Sequence, residues 1–193
     1  MTHILYLAGG SGRRFGGNKL LHPLAGKPLY RHGLDTLAAL TRTRTDCTLT
    51  VVSRYHAILA GARALGLRAV PSPDSEKGQS YTIRAGLDAL ILRPDDHVAF
   101  VVADQPYLTA ATMARLLDAA RPGVVCARVC YGGRPGNPTL FAAACVPALY
   151  ALTGDQGGRA LLDRPDCVHV PADDPREAWD VDTRAQLDRL RPT

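Results

Sequence analysis

The segment "LAGGSGRRFGGNKLL" (7–21) packs five glycines, two arginines and one lysine into the chain directly after the apolar run "ILYLA" (4–8). Glycines let backbone N–H groups approach a polyphosphate without side-chain obstruction. Arg13, Arg14 and Lys19 add positive charge beside them, and lysine is scarce here, occurring only as Lys19, Lys27 and Lys77. Two familiar phosphate-binding patterns fail by inspection. A dinucleotide fingerprint requires glycines at i, i+2 and i+5; Gly10 and Gly12 comply, but Phe15 holds the third position. A P-loop requires Lys directly after its second glycine and then Ser or Thr. Gly12 and Gly17 have that spacing, but Asn18 precedes Lys19 and Leu20 follows it. What remains is a glycine loop with its own cations, suited to a small anionic ligand; the bland alternative is a glycine-rich turn with exposed charges.

The complementary charge lies in "VVADQP" (101–106) and "WDVDT" (179–183). Asp104 ends a strongly apolar run and is expected to project into a ligand crevice. A carboxylate there suits Mg²⁺, which takes one or two carboxylates plus phosphate oxygens and water; the plainer role is a turn or capping aspartate. Asp180 and Asp182 stand at i, i+2, so on an extended segment they share a face. Asp182 is read either as a second metal ligand or as the cap of the last helix.

These groups need a scaffold, and the patterning supplies one. Strands are expected at 3–8, 47–53, 67–72, 97–104, 123–129 and 166–171. Helices are expected at 28–40, with Leu29, Leu34, Leu37 and Leu40 as its stripe, and at 56–66, 80–92 and 109–120. Thr109 caps the last of these, and Gly66 ends the second. Segment 131–141 reads as a turn-rich connection into a strand. Two short helices flank the loop 153–158, and the end of a strand leads through "EAW" into a C-terminal helix. The alternation argues for a mostly parallel α/β sheet with helices on both faces, in one domain over 1–193. In such sheets ligands sit beyond the carboxyl ends of the strands, where 9–19, 104–106 and 180–182 would converge.

Composition narrows the partners. The 193 residues are 46% hydrophobic and 21% charged, with a net charge of +5 spread along the chain. Nucleic-acid binding calls for a concentrated basic face interleaved with aromatics, and aromatics make up only 6%. No apolar run approaches the length of a membrane span, and no secretory pattern opens the chain. Five cysteines without a CxxC pair read as reduced thiols in a cytoplasmic protein. His97, at the head of a strand, reads as structural.

"LAGGSGRRFGGNKLL", "KGQSYTIRAGL", "VVADQPYL", "GRPGNPTLF", "GDQGGRALL" and "DVDTRAQL", in this order, resemble the molybdenum cofactor nucleotidyltransferases, with the cytidylyltransferase branch nearest. The resemblance runs from Ile4 to about Leu190. It implies a Rossmann-like sheet of about seven strands with one reversed, of the nucleotide-diphospho-sugar transferase type. It also implies a Mg²⁺-dependent reaction of CTP with molybdopterin cofactor to give the cytosine dinucleotide cofactor and pyrophosphate. Carried over residue by residue, nucleotide binding falls to Leu7, Ala8, Gly9, Gly10, Gly12, Arg14, Lys19, Gly78, Ser80, Thr82 and Asp104. Arg14, Lys19 and Asp104 would carry the catalysis, and Asp104 and Asp182 the metal. Gln105, Asn137 and Arg159 would bind the acceptor.

Two features bear on the base. Gly9 stands where the cytidylyl branch usually has a second alanine, which suggests room for a purine. Asn18, Asp180 and Asp182 depart from the residues usual in the guanylyl branch, so CTP is favoured over GTP. A recipient molybdoenzyme is a further expected partner. Two other readings stay open: a nucleotidyltransferase for a sugar phosphate or other phosphorylated metabolite, and a non-catalytic chain that carries the cofactor.

Overall fold

A computed structural model describes residues 1–10, 12 and 15–189. The central element is β1 (Thr2–Leu7), whose side chains alternate between two cores. Ile4 and Tyr6 enter one core, Leu5 and Leu7 the other. A small antiparallel pair, β2 (Pro23–Leu24) and β3 (Lys27–Pro28), leads into α1 (Leu29–Arg42). There follow β4 (Cys47–Ser53), α2 (His56–Ala64), β5 (Arg68–Pro71), α3 (Gln79–Asp88), β6 (His97–Val102) and α4 (Ala110–Asp118). The second half holds β7 (Cys126–Tyr131), β8 (Arg134–Ala142), α5 (Val146–Tyr150), β9 (Val168–Pro171) and α6 (Arg184–Arg189).

The sheet has seven strands in the order β5-β4-β1-β6-β8-β7-β9. All neighbours are parallel except β8, which runs antiparallel to both β6 and β7. The expected mostly parallel sheet with one reversed strand is therefore present. Both faces are covered, which explains the near-continuous apolar strands. Residues of α1, α2 and α4 pack into the core on one face, and those of α3 and α5 into the core on the other.

Several boundaries differ from the sequence reading. The helix expected over 80–92 ends at Asp88, five residues before the Arg93–Pro94 pair, where a proline disfavours helix in the residue ahead of it. Leu90 and Leu92 still pack against the core, while Ile91 is exposed. The strand expected at 123 starts at Cys126, because Gly123 turns at φ +85°. β8 begins at Arg134, inside the stretch read as a connection. The segment "EAW" belongs to no strand: Pro175–Ala178 is a 3₁₀ turn opened by Asp174, whose carboxylate accepts from Arg176 N–H. His97 is structural, its Nε2 lying 3.0 Å from the Val124 carbonyl.

Candidate active site

The glycine loop is shaped by Gly12. Its carbonyl accepts from the N–H groups of Phe15 and Gly16 at 2.9 and 3.1 Å. Its φ is +60°, and a Cβ there would fall 2.0 Å from the Gly17 carbonyl oxygen, so no other residue fits this turn. The loop delivers Lys19 into a 3₁₀ turn (Lys19–Leu21) capped by the Asn18 side chain, which accepts from Leu20 N–H.

Lys19 is buried and bridges two carboxylates. Its Nζ donates to Asp104 Oδ2 at 2.7 Å and to Asp182 Oδ1 at 2.9 Å. Burial alone would push the ammonium pKa down. The neighbouring Asp104 and Asp182 charges and hydrogen bonds outweigh it, so the group is held above its ordinary value. Asp180 is pushed up, first by burial and then by repulsion from Asp104 and Asp182. Three acidic groups and one lysine therefore share one small region.

Each acidic group arrives by a different device. Asp104 follows β6, as expected. Asp182 comes from the far end of the chain, tied in where Val181 N–H donates to the Asp104 carbonyl at 3.1 Å. The helix cap that competed with a ligand role is supplied instead by Thr183. Thr183 N–H donates to Gln186 Oε1 at 2.8 Å, and Thr183 Oγ1 accepts from Gln186 N–H at 3.3 Å. This is a capping box, and its T-x-x-Q signature stands in the sequence. Asp182 is thereby left to face Lys19. The 3₁₀ turn before it is anchored by Glu177, which is 1% exposed. Glu177 accepts from Thr109 N–H, Thr109 Oγ1 and Thr112 Oγ1 at the start of α4, where the helix dipole also favours an anion.

Two clefts meet at this cluster. The smaller, about 200 Å³, is lined by Leu7, Gly9, Gly10, Lys19, Thr82 and Asp104 among others. The larger, about 890 Å³, is lined among others by Gln105, Asn137, Arg159, Trp179 and Asp180. Gln79 and Val102 line both. The structure thus groups most of the residues expected to bind nucleotide in one cleft, and the three expected to bind the acceptor in the other.

Three expected residues do other work. Ala8 is fully buried, its N–H spent on the Val52 carbonyl and its carbonyl on Ser53 Oγ. Gly78 and Ser80 line neither cleft. Gly78, at φ +137°, packs on the Gly154–Asp155 backbone, and Ser80 Oγ donates to the Gly154 carbonyl at 2.9 Å. They brace the 153–158 loop. Arg14 lies outside the described residues. The room expected at Gly9 is absent, since a Cβ there would meet Thr82 Oγ1 at 2.5 Å and Ser75 Cβ at 2.7 Å.

The donor set can be tested against a divalent cation. Asp104 and Asp182 aim oxygens at one point, already occupied by a cationic nitrogen, and both are hard oxygen donors. Among the described residues no cluster of three or more metal-type side chains is gathered. A cation held here would draw its remaining ligands from phosphate and water, as Mg²⁺ does. The residues fit. Also among the described residues, no helix is long and apolar enough to cross a membrane, and all five cysteines are free thiols.

Comparison with known proteins places this geometry in context. The chain is 30% identical to nicotine blue oxidoreductase of Paenarthrobacter nicotinovorans, over 98% of this chain and 96% of that protein. It is 29% identical to purine catabolism protein PucB of Bacillus subtilis (strain 168), over 97% and 94%. Among solved structures, Rv0371C of Mycobacterium tuberculosis H37Rv in complex with manganese superposes with a TM-score of 0.73. That match has 24% identity and covers 98% of this chain and 97% of that one. With residues 4–170 matching its domain, the chain belongs to the MobA-like NTP transferase domain family.

Proposed function

We propose that the protein transfers CMP from CTP to molybdopterin cofactor, with Mg²⁺, giving the cytosine dinucleotide cofactor and pyrophosphate. The observation that carries this reading is the Lys19 bridge between Asp104 and Asp182 at the meeting point of the two clefts. A nucleotide in the smaller cleft and a phosphorylated acceptor in the larger one would present their phosphates there together. Asp104 and Asp182 would hold the Mg²⁺. When bound, the ion supplies positive charge to phosphate oxygens. The manganese in the Mycobacterium tuberculosis protein of the same fold accords with a divalent cation.

In this reading an oxygen of the acceptor's terminal phosphate attacks the α-phosphorus of the nucleotide. A new P–O bond forms, the bond to the β-phosphate oxygen breaks, and pyrophosphate leaves. Two anions meet and negative charge grows on the departing group, so catalysis consists of positioning and electrostatic stabilisation. Lys19 is the cation of this chain placed to neutralise that charge. Arg14, which the family resemblance puts beside it, has the same role. Gln105, Asn137 and Arg159 orient the acceptor. No covalent intermediate on the protein is required, and the five thiols play no part. A cytoplasmic setting and delivery of the product to a recipient molybdoenzyme complete the proposal.

CTP is favoured over GTP on Asn18, Asp180 and Asp182. The space beside Gly9 that a side chain would fill is taken up by Ser75 and Thr82, so the missing side chain is no argument for a purine. The relative named for nicotine blue carries an oxidoreductase's name, but the glycine loop here lacks the dinucleotide spacing. The test is pyrophosphate release with each NTP, with and without molybdopterin cofactor, followed by mass analysis of the dinucleotide at equal CTP and GTP. Release that requires the cofactor and a predominantly cytosine product are expected. A guanine product overturns the base assignment, and tight binding of molybdopterin cofactor without pyrophosphate release overturns the enzymatic reading.

A further inference from the structure

The large cleft contains a residue the family resemblance did not mark. Arg128 sits mid-strand in β7 and is only 4% exposed, yet it lines this cleft. Register explains its position. Arg128 pairs with Thr139 of β8, and Thr139 pairs with Phe100 of β6. Directly paired residues point to the same face, so Phe100, Thr139 and Arg128 form one row along the cleft floor. β6 is the strand that leads to Asp104. Arg128 therefore lies two strand spacings, about 10 Å, across the sheet from Phe100, and Asp104 stands four residues beyond Phe100.

Its hydrogen bonding is incomplete. One terminal nitrogen donates to Asp163 Oδ1 at 2.9 Å, while buried Nε has no partner. Across the same cleft the buried Gln105 Oε1 also has no partner. Unsatisfied buried polar groups are uncommon and costly, and here one donor and one acceptor are left over on the walls of one cavity. Trp179 also lines the cleft, half-exposed and braced edge-on by Tyr107 with ring centroids 6.2 Å apart. The Asp163 carboxylate already balances the guanidinium charge, so the unspent donor suits a single neutral oxygen better than a dianion.

We propose that Arg128 determines acceptor specificity, its guanidinium donating to an oxo oxygen on a planar ring at the far end of the acceptor while Trp179 stacks on that ring. This rests on the reading that the large cleft receives the acceptor, with its reacting phosphate at Asp104. The acceptor is then an extended phosphate monoester whose oxo-bearing heterocycle lies in the large cleft away from the reacting centre.

Trp179 is the single tryptophan, so its fluorescence reports occupancy of the cleft in the whole protein without nucleotide. The probes are 6-hydroxymethylpterin phosphate, with a 4-oxo group, and its 4-amino counterpart. The oxo probe should quench Trp179 and bind at least tenfold more tightly than the amino probe. Arg128→Lys keeps a cation beside Asp163 but lacks the planar set of donors; it should bring the two probes to within threefold and raise KM for the acceptor but not for CTP. Asp163→Asn should keep most of the preference, whereas equal loss in both variants would mean Arg128 acts only through that ion pair and would overturn the proposal. Equal affinity of the two probes for the wild type, or failure of both to bind, overturns it without reliance on any variant. Pyrophosphate release from CTP, measured on the same preparation, separates the outcomes: release with no oxo preference overturns this inference alone, while no release overturns the reading of function.

Discussion

Lys19 and its two carboxylates hold the chemistry in a closed arrangement. The ammonium stands where both aspartates point, so in the absence of ligands it competes with a divalent cation for them. Lys19→Met should therefore tighten Mn²⁺ binding in the absence of nucleotide, measured by calorimetry, while weakening CTP binding and lowering turnover. Unchanged Mn²⁺ affinity would show that the lysine and the cation do not share these oxygens. Lys19→Arg should recover little, because a planar fork does not replace a compact point charge held between two carboxylates. Asp104→Asn should lower kcat by roughly a hundredfold or more, as expected for loss of a main electrostatic group at developing charge. Asp182→Asn should be milder, since an amide oxygen can still ligate and Lys19 keeps Asp104. Full Mg²⁺-dependent turnover in Asp104→Asn would place the cation elsewhere.

The elements around that cluster were legible to unequal degrees. β4 was read to the residue and α1, α2 and α4 to within a few, because periodicity and caps such as Thr109 are local signals. The approach of Asp182 looks in sequence like the end of a strand, but it is a 3₁₀ turn. What positions it is tertiary: the carboxylate of Glu177 stapled to the start of α4, and the Val181 N–H bonded to Asp104. No local pattern announces either contact, although T-x-x-Q at 183–186 did mark the helix start. Glu177→Ala should leave three donors without their acceptor and cost about 1–3 kcal/mol, read as a lower Cm in urea. It should also lower activity although Glu177 touches no cleft; full stability in this variant would remove the staple from the account. Gly9 shows the opposite failure, a residue noticed for a reason the fold does not support. Gly9→Ala would force Ser75 and Thr82 apart, so reduced Tm and weaker CTP binding are expected rather than a sharper choice of base.

For the whole molecule, the doubly covered sheet fixes where ligands can go: the smaller cleft opens beyond the ends of β1 and β6, and the larger one over β6, β8 and β7. The opposite ends of β1 and β6 carry a charge cluster of their own. Asp96, 6% exposed, lies 3.1 Å from the Met1 amine and 3.2 Å from His3 Nε2, and accepts from Arg93 N–H at 2.9 Å. Burial would raise its pKa, but the Arg93, His3 and amine hydrogen bonds prevail and hold it at about 2, against 3.8 for an ordinary aspartate. The folded-state value is the lower one, so the unfolded chain binds more protons as pH falls through this range. Stability from Asp96 is therefore fully present above about pH 4 and is lost as pH drops towards 2. Discounted for solvent screening near the amine, it amounts to about 1–2 kcal/mol. Asp96→Asn should lower stability by about that much at pH 7 and should flatten the acid limb between pH 4 and 2 relative to wild type. Urea denaturation at pH 7, 4, 3 and 2.5 measures both. Parallel acid limbs in the two proteins would show that Asp96 does not titrate in that window and that the grip on β1 is independent of its charge.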